Sequence, residues 1–218
     1  MRENDYICDM KICIIVAMES EYALMAKLLE KGGVPGHQLV LQRCGMGKVN
    51  AAVVATEMIA REKPDLVIST GVAGATSPLV HTGSFVVSET VAYHDAWYGE
   101  GNAYGQVQGL PEVFTSPKDL VAKAASLGAI AGLITSGDRF IETKAEVQAI
   151  REHFPESLAV DMESGALAQT CYLKGVPFIS IRLISDGDDD AHMEAYKNFW
   201  QTAGSESFRM VHSFLESI

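Results

Sequence analysis

Seven short runs rich in β-branched residues alternate along this chain with six stretches of helical periodicity. That alternation constrains the fold more than any other feature. The runs are 11–17 (KICIIVA), 38–44 (QLVLQRC), 65–70 (DLVIST), 84–92 (SFVVSETVA), 130–136 (IAGLITS), 157–161 (SLAVD) and 177–185 (PFISIRLIS). Several are apolar almost throughout, as strands covered on both faces are. Helices are expected over 20–31, 48–62, 117–127, 143–153, 162–174 and 194–216; Val49, Ala52, Val53, Thr56 and Ile59 illustrate the apolar stripe. Pro64, Pro155 and Pro177 fall between elements, where a residue without an N–H belongs. The pattern predicts a layered α/β fold with a mostly parallel sheet, in one domain over residues 11–218. Residues 1–10 read as a flexible N-terminal extension. Residues 94–114 carry no regular period and are rich in Gly, Tyr and Trp, the mark of a functional or interfacial loop.

Charge narrows the partners. With 17 basic and 28 acidic residues in 218, the formal net charge is -11. Nucleic acid and anionic membrane surfaces repel such a chain, whereas a small neutral or cationic ligand does not. Arg2, Glu3, Asp5 and Asp9 break up the N-terminus, so no apolar signal core stands there, and the apolar runs are too short to span a bilayer. Cys8, Cys13, Cys44 and Cys171 form no C-x-x-C pair. They are expected as free thiols in a reducing cytoplasm, with no disulfide and no metal site.

In open α/β sheets ligands bind at the carboxyl ends of the strands, so the polar residues after each strand are the ones to weigh. They are Glu19 and Glu21, Gly45–Lys48, Gly71–Ala75, Gly137–Ile141, Asp161–Glu163 and Asp186–Asp190. Acids recur in this set, and Arg and Lys are nearly absent from it. GMGKVN fails both phosphate-loop patterns: position 42 is Gln and 49 is Val, and Asn50 stands where a dinucleotide fingerprint needs a third glycine. It reads as a tight turn, with Met46 placed to line a pocket. TGVAGA is expected to follow its strand as a turn that admits close backbone approach. The run Asp186-Gly187-Asp188-Asp189-Asp190 is not an EF-hand, because Ala191 and Lys197 occupy the positions that need Gly and Glu. Its later acids suit a helix N-terminus, while Asp186, directly after ISIRLIS, is expected to face a cleft. Glu163, Glu19 and Glu21 each have a plain alternative as first-turn acids complementing a helix dipole. His94 has one as an ordinary hydrogen-bonded histidine.

Taken together, AMESE (17–21), GMGKVNAA (45–52), DLVISTGVAGA (65–75), SGDRFI (136–141), AVDMES (159–164) and ISD (184–186) resemble the 5'-methylthioadenosine/S-adenosylhomocysteine nucleosidases of the purine nucleoside phosphorylase-like superfamily. The resemblance runs from Lys11 to the C-terminus, and VDMES followed by ISD after an apolar strand is its specific part. It implies a three-layer α/β fold, a central mixed β-sheet flanked by helices, a homodimer, no cofactor and no metal. It implies that Glu21 positions and activates water and that Asp186 protonates N7 of the leaving purine. Glu163 and Met162 would contact the ribose, and Ser185, beside Asp186, would also bind the substrate. Phe140 would stack on adenine, the Ile141 backbone would read its edge, and Met46 would touch the alkylthio group. Val72, Ala73 and Gly74 would lie near the sugar. The implied reaction is hydrolysis of the N-glycosidic bond of the nucleoside, as part of methionine salvage.

Chemistry supports the same division of labour. Glycosidic cleavage passes through an oxocarbenium-like state, and adenine is a poor leaving anion, so a buried acid must supply a proton. A carboxylate accepts from both ribose hydroxyls, which suits Glu163. Against the family pattern, the segment between Glu21 and Gly45 is short, with KGGVPGH where others carry a further β-hairpin; Asp161 replaces a common glutamate; and Val72 is a variable position. Three other functions use the same residues: a nucleoside phosphorylase, a hydrolase of another purine nucleoside such as futalosine, and a non-catalytic nucleoside-binding protein. Phosphorolysis requires cationic or donor-rich phosphate recognition, and AMESE and TGVAGA hold no arginine. The expectation is therefore three acids around one linkage with no cation nearby to hold phosphate. Trp97, Tyr98 and Tyr104, within 94–111, are expected at the partner subunit.

Overall fold

The computed structural model describes residues 10–32, 34–186, 196, 197, 199 and 208–218. Its strands are β1 (Met10–Val16), β2 (His37–Arg43), β3 (Leu66–Ala75), β4 (Phe85–Tyr93), β5 (Phe114–Thr115), β6 (Ile130–Ser136), β7 (Ser157–Asp161) and β8 (Phe178–Asp186). Its helices are α1 (Glu19–Gly32), α2 (Lys48–Glu62), α3 (Lys118–Ser126), α4 (Lys144–His153), α5 (Ser164–Lys174) and α6 (Arg209–Ser217). Residues 1–9, most of the expected N-terminal extension, lie outside the described residues, and Met10 already pairs with His37 in β1. Much of the helix expected at 194–216, and Asp188–Asp190 of the acidic run, also lie outside them.

The strands form one eight-stranded mixed sheet. It runs β2-β1-β3-β7-β6-β4-β5, with β8 paired to both β3 and β4. The pairs β1–β2, β1–β3, β3–β8, β4–β6 and β6–β7 are parallel, and β3–β7, β4–β5 and β4–β8 are antiparallel. Strands β3, β7, β6, β4 and β8 thus close a circuit, and β1 and β2 extend it on one side. Helices α1, α3 and α6 cover one face through Met25, Leu28, Val121, Ala124, Val211 and Phe214. Helices α2 and α5 cover the other through Ala51, Ala55, Met58, Leu167 and Cys171. Strands buried on both sides explain why KICIIVA and FISIRLIS carry no alternation; every residue of β8 is buried.

Two expectations need correcting. TGVAGA is not a turn after β3: Thr70–Ala75 continue the strand, pairing in parallel with β8 from Val67↔Phe178 to Gly74↔Asp186. The glycines serve close approach inside the strand. A Cβ on Gly71 would lie 2.4 Å from Glu21 Oε1 and 2.7 Å from Arg182 Nη1. The second correction is β5, a two-residue pairing of Phe114–Thr115 with β4, too short to leave a periodic trace in the sequence.

Candidate active site

The carboxyl ends of β1, β3, β6, β7 and β8 and the turn after β2 surround one cavity. It is lined by Glu21, Met46, Val72, Ala73, Gly74, Phe140, Ile141, Met162, Glu163, Ser185 and Asp186, the residues to which the resemblance gave catalytic or substrate contacts. Ala17, Met18, Arg139, Val160, Asp161 and Tyr196 also line it. Tyr196 meets Phe140 edge to face at 5.5 Å and donates its hydroxyl to Met18 Sδ at 3.3 Å. Of these further residues all but Tyr196 lie within the motifs AMESE, SGDRFI and AVDMES, and Tyr196 carried no pattern of its own in the sequence.

Glu21 stands in the first turn of α1, yet it does more than complement a dipole. Its Oε2 accepts the N–H of Ala17 and of Met18, both at 2.9 Å, and its Oε1 accepts the N–H of Val72 at 2.9 Å. Three of the roughly four lone-pair sites of a carboxylate are thereby filled from the backbone, and the group is held rigidly. Burial pushes its pKa up from the ordinary value, against the pull of Arg182 and of the three N–H donors. A fixed carboxylate raised in this way is a stronger base than an exposed one. Glu19 turns outward to an exposed ion pair with Arg43 and takes no part.

Glu163 occupies the N-cap position of α5 but makes no cap bond there. Its Oε1 instead accepts the N–H of Gly47, at the start of α2, at 2.8 Å. Burial, and then the charge of Asp161, raise its pKa to about 7. Asp186 ends β8 and is buried, and Ser185 Oγ donates to its Oδ1 at 2.6 Å. Gly74, directly opposite in register, keeps room for it: a Cβ there would come within 3.1 Å of Asp186 Oδ2.

One cation that the sequence did not point to, Arg182, stands beside these acids. It sits in the middle of the apolar run of β8, is completely buried, and donates from Nη2 to Asp161 Oδ2 at 2.7 Å and to Ser69 Oγ at 2.8 Å. Burial opposes its charge, but Asp161, Glu163 and Glu21 together raise its pKa above the ordinary value. Asp161 also binds the N–H and the hydroxyl of Ser164. The guanidinium is thus already matched by a carboxylate, and the cavity keeps an acidic balance. At the mouth, Arg139 is largely exposed and paired with Glu146.

His94 does not line the cavity. It is buried against Gly137, and desolvation lowers its pKa, against the opposing charges of Asp95 and Asp161. Trp97 and Tyr98 are exposed, and Tyr104 stacks on His153 with ring centroids 3.6 Å apart. Among the described residues, no group of His, Cys, Asp and Glu could hold a metal ion.

The family model of the Phosphorylase superfamily matches residues 11–216 of this chain. The 5'-methylthioadenosine/S-adenosylhomocysteine nucleosidase of Geobacillus kaustophilus is 38% identical, over 94% of this chain and 97% of its own length. Among solved structures, the S-adenosylhomocysteine nucleosidase of Streptococcus pyogenes in complex with 5-methylthiotubericidin superposes with a TM-score of 0.90 at 31% identity, covering 96% of this chain and 98% of that one. The Neisseria meningitidis nucleosidase in complex with methylthio-immucillin-A gives 0.88 at 36%, covering 95% and 99%. The chain belongs to the 5'-methylthioadenosine/S-adenosylhomocysteine nucleosidase family.

Proposed function

We propose that this protein is an N-glycosyl hydrolase that cleaves 5'-methylthioadenosine and S-adenosylhomocysteine to adenine and a 5-thio-substituted ribose. The observation that carries the reading is the convergence of buried Glu21, Glu163 and Asp186 on one cavity whose neighbouring guanidinium is already bound by Asp161.

In this reading Glu21, fixed by three N–H groups, orients a water and takes its proton. Asp186 delivers a proton to N7, so that adenine leaves as a neutral base while the oxocarbenium charge develops on the sugar. Glu163 accepts the ribose hydroxyls beside Met162, and Val72, Ala73 and Gly74 bring backbone close to the sugar. Phe140 stacks on the purine, the Ile141 backbone meets its edge, Ser185 orients Asp186, and Met46 meets the alkylthio group. Phosphate is a poor co-substrate beside the carboxylates of Glu21 and Glu163, because like charges in a low-dielectric site repel strongly. That favours water over phosphorolysis.

The same proposal treats residues 11–218 as one domain acting in methionine salvage in the cytoplasm; the free thiols of Cys13, Cys44 and Cys171 fit a reducing compartment. It includes a homodimer. Val49 and Val53 on α2, together with Trp97 and Tyr98, are more than half exposed, and Lys48 binds Asp95 between them. Light scattering reads that state directly.

Adenine release is the test of the reaction. Release from methylthioadenosine and S-adenosylhomocysteine, unaffected by added phosphate and faster than from futalosine, is expected. An absolute need for phosphate, or tight binding of methylthioadenosine without any adenine release, overturns the reading.

A further inference from the structure

Three turns at the strand ends are locked together beside the cavity by contacts that the proposed chemistry does not use. Asp138, after β6, accepts the N–H of Lys48 at the start of α2 through Oδ1 at 2.7 Å. The side chain of Lys48 reaches Asp95, after β4, at 2.7 and 2.9 Å. Asp95 Oδ2 in turn accepts the N–H of Asp138 at 2.8 Å. The ring closes over backbone lacking side chains. A Cβ on Gly47 would meet Asp138 Oδ1 at 2.9 Å, and one on Gly137 would meet Asp95 Cγ at 2.8 Å. Helix α2 has no cap from its own N-cap residue, Gly47; Asp138 and Glu163 supply carboxylates to its first N–H groups from two other turns.

This ring holds one end of the segment that carries Phe140 and Ile141. The other end is held by the capping box of α4, in which Thr143 and Glu146 exchange hydrogen bonds while Glu146 also accepts the N–H of Glu142. Residues 139–142 therefore run between two anchors, one of which also holds Glu163 through Gly47. We propose that Asp138 is a positioning residue of the purine subsite, setting Phe140 and Ile141 at a fixed distance from the ribose carboxylate. The proposal rests on the assignment of Phe140 and Ile141 to the purine. Misplacement by an ångström or so costs up to about 100-fold.

The test compares calorimetric binding of adenine and of 5-methylthioribose to wild type, Asp138→Ala and Asp138→Asn, alongside kcat, KM and Tm. Asp138→Ala is expected to weaken adenine binding and raise KM by about 10–100-fold, with 5-methylthioribose binding unchanged. Asp138→Asn, whose amide oxygen still accepts the Lys48 N–H, is expected to recover most of the loss. Adenine binding by Asp138→Ala equal to wild type overturns the proposal. So does an equal loss for both ligands with a lowered Tm and no recovery in Asp138→Asn, which marks a purely structural role. Wild type that fails to bind adenine removes the purine assignment itself, and the proposal with it.

Discussion

Arg182 and Asp161 lie 2.7 Å apart, Nη2 to Oδ2, with side chains 2% and 1% exposed. A buried pair of this kind adds little net stability compared with apolar residues of the same shape, but removing one partner leaves an uncompensated charge in the core. Asp161→Asn is therefore expected to lower the unfolding free energy by about 3–5 kcal/mol. The denaturant midpoint at pH 7 measures it, and a midpoint equal to wild type shows that the guanidinium is adequately compensated by Glu21 and Glu163 alone.

The raised carboxyl of Glu163 gives activity and stability opposite pH dependences. Burial first, and Asp161 second, lift its pKa from the ordinary 4.5 to about 7. A pKa raised on folding adds stability that is fully present below 4.5 and is lost as pH rises through about 7. Recognition of the ribose hydroxyls needs the ionised acceptor, so kcat/KM is expected to rise across the same interval. Glu163→Gln should flatten the stability profile between pH 4.5 and 7 relative to wild type while losing most of kcat/KM. Identical stability profiles in the two proteins contradict the argument. Asp161→Asn should move the activity limb to lower pH, because it removes one of the charges that raise Glu163.

Much of this was legible along the chain, and the rest was hidden for identifiable reasons. Apolar runs and helical stripes mark β1, β6, β8, α2 and α5 because burial on both faces, or on one, leaves a local imprint. Glu21, Glu163 and Asp186 were legible because each stands within four residues of the end of such a run. TGVAGA was read as a turn because glycine usually interrupts strands, whereas here Gly71 and Gly74 make room inside one for Glu21, Arg182 and Asp186. Arg182 had a usable signal: a lone charge inside ISIRLIS must find a buried partner. Which partner could not be read, since Asp161 is 21 residues away and meets it only through the sheet. The ring of Lys48, Asp95 and Asp138 was invisible for the same reason, spanning 43 to 90 residues of sequence.

Gly71 faces a steric limit from two functional side chains at once. Its φ is +152°, and a Cβ would lie 2.4 Å from Glu21 Oε1 and 2.7 Å from Arg182 Nη1. Neither neighbour is free to withdraw, since Glu21 is held by three N–H groups and Arg182 is buried against Asp161. Gly71→Ala is expected to cost about 1–3 kcal/mol of stability and about 100-fold in adenine release through displacement of Glu21. A variant with wild-type turnover shows that the Val72–Glu21 contact tolerates the shift.

Two isosteric substitutions separate the acid from the water-positioning carboxylate. Asp186→Asn keeps the shape and an oxygen able to accept from Ser185, which donates at 2.6 Å in the native protein, but it has no acidic proton for N7. It is expected to fold with a near-native Tm and to lose about 10²–10⁴-fold in kcat. Glu21→Gln behaves differently, because both oxygens of Glu21 accept backbone N–H groups. Either orientation of the amide turns an NH2 toward at least one of those donors, so the variant loses about 1–3 kcal/mol of stability as well as rate. Adenine release and thermal unfolding on the same two proteins check both. Turnover retained in both variants removes the acid–base mechanism, and a Tm unchanged in Glu21→Gln removes the account of how Glu21 is held.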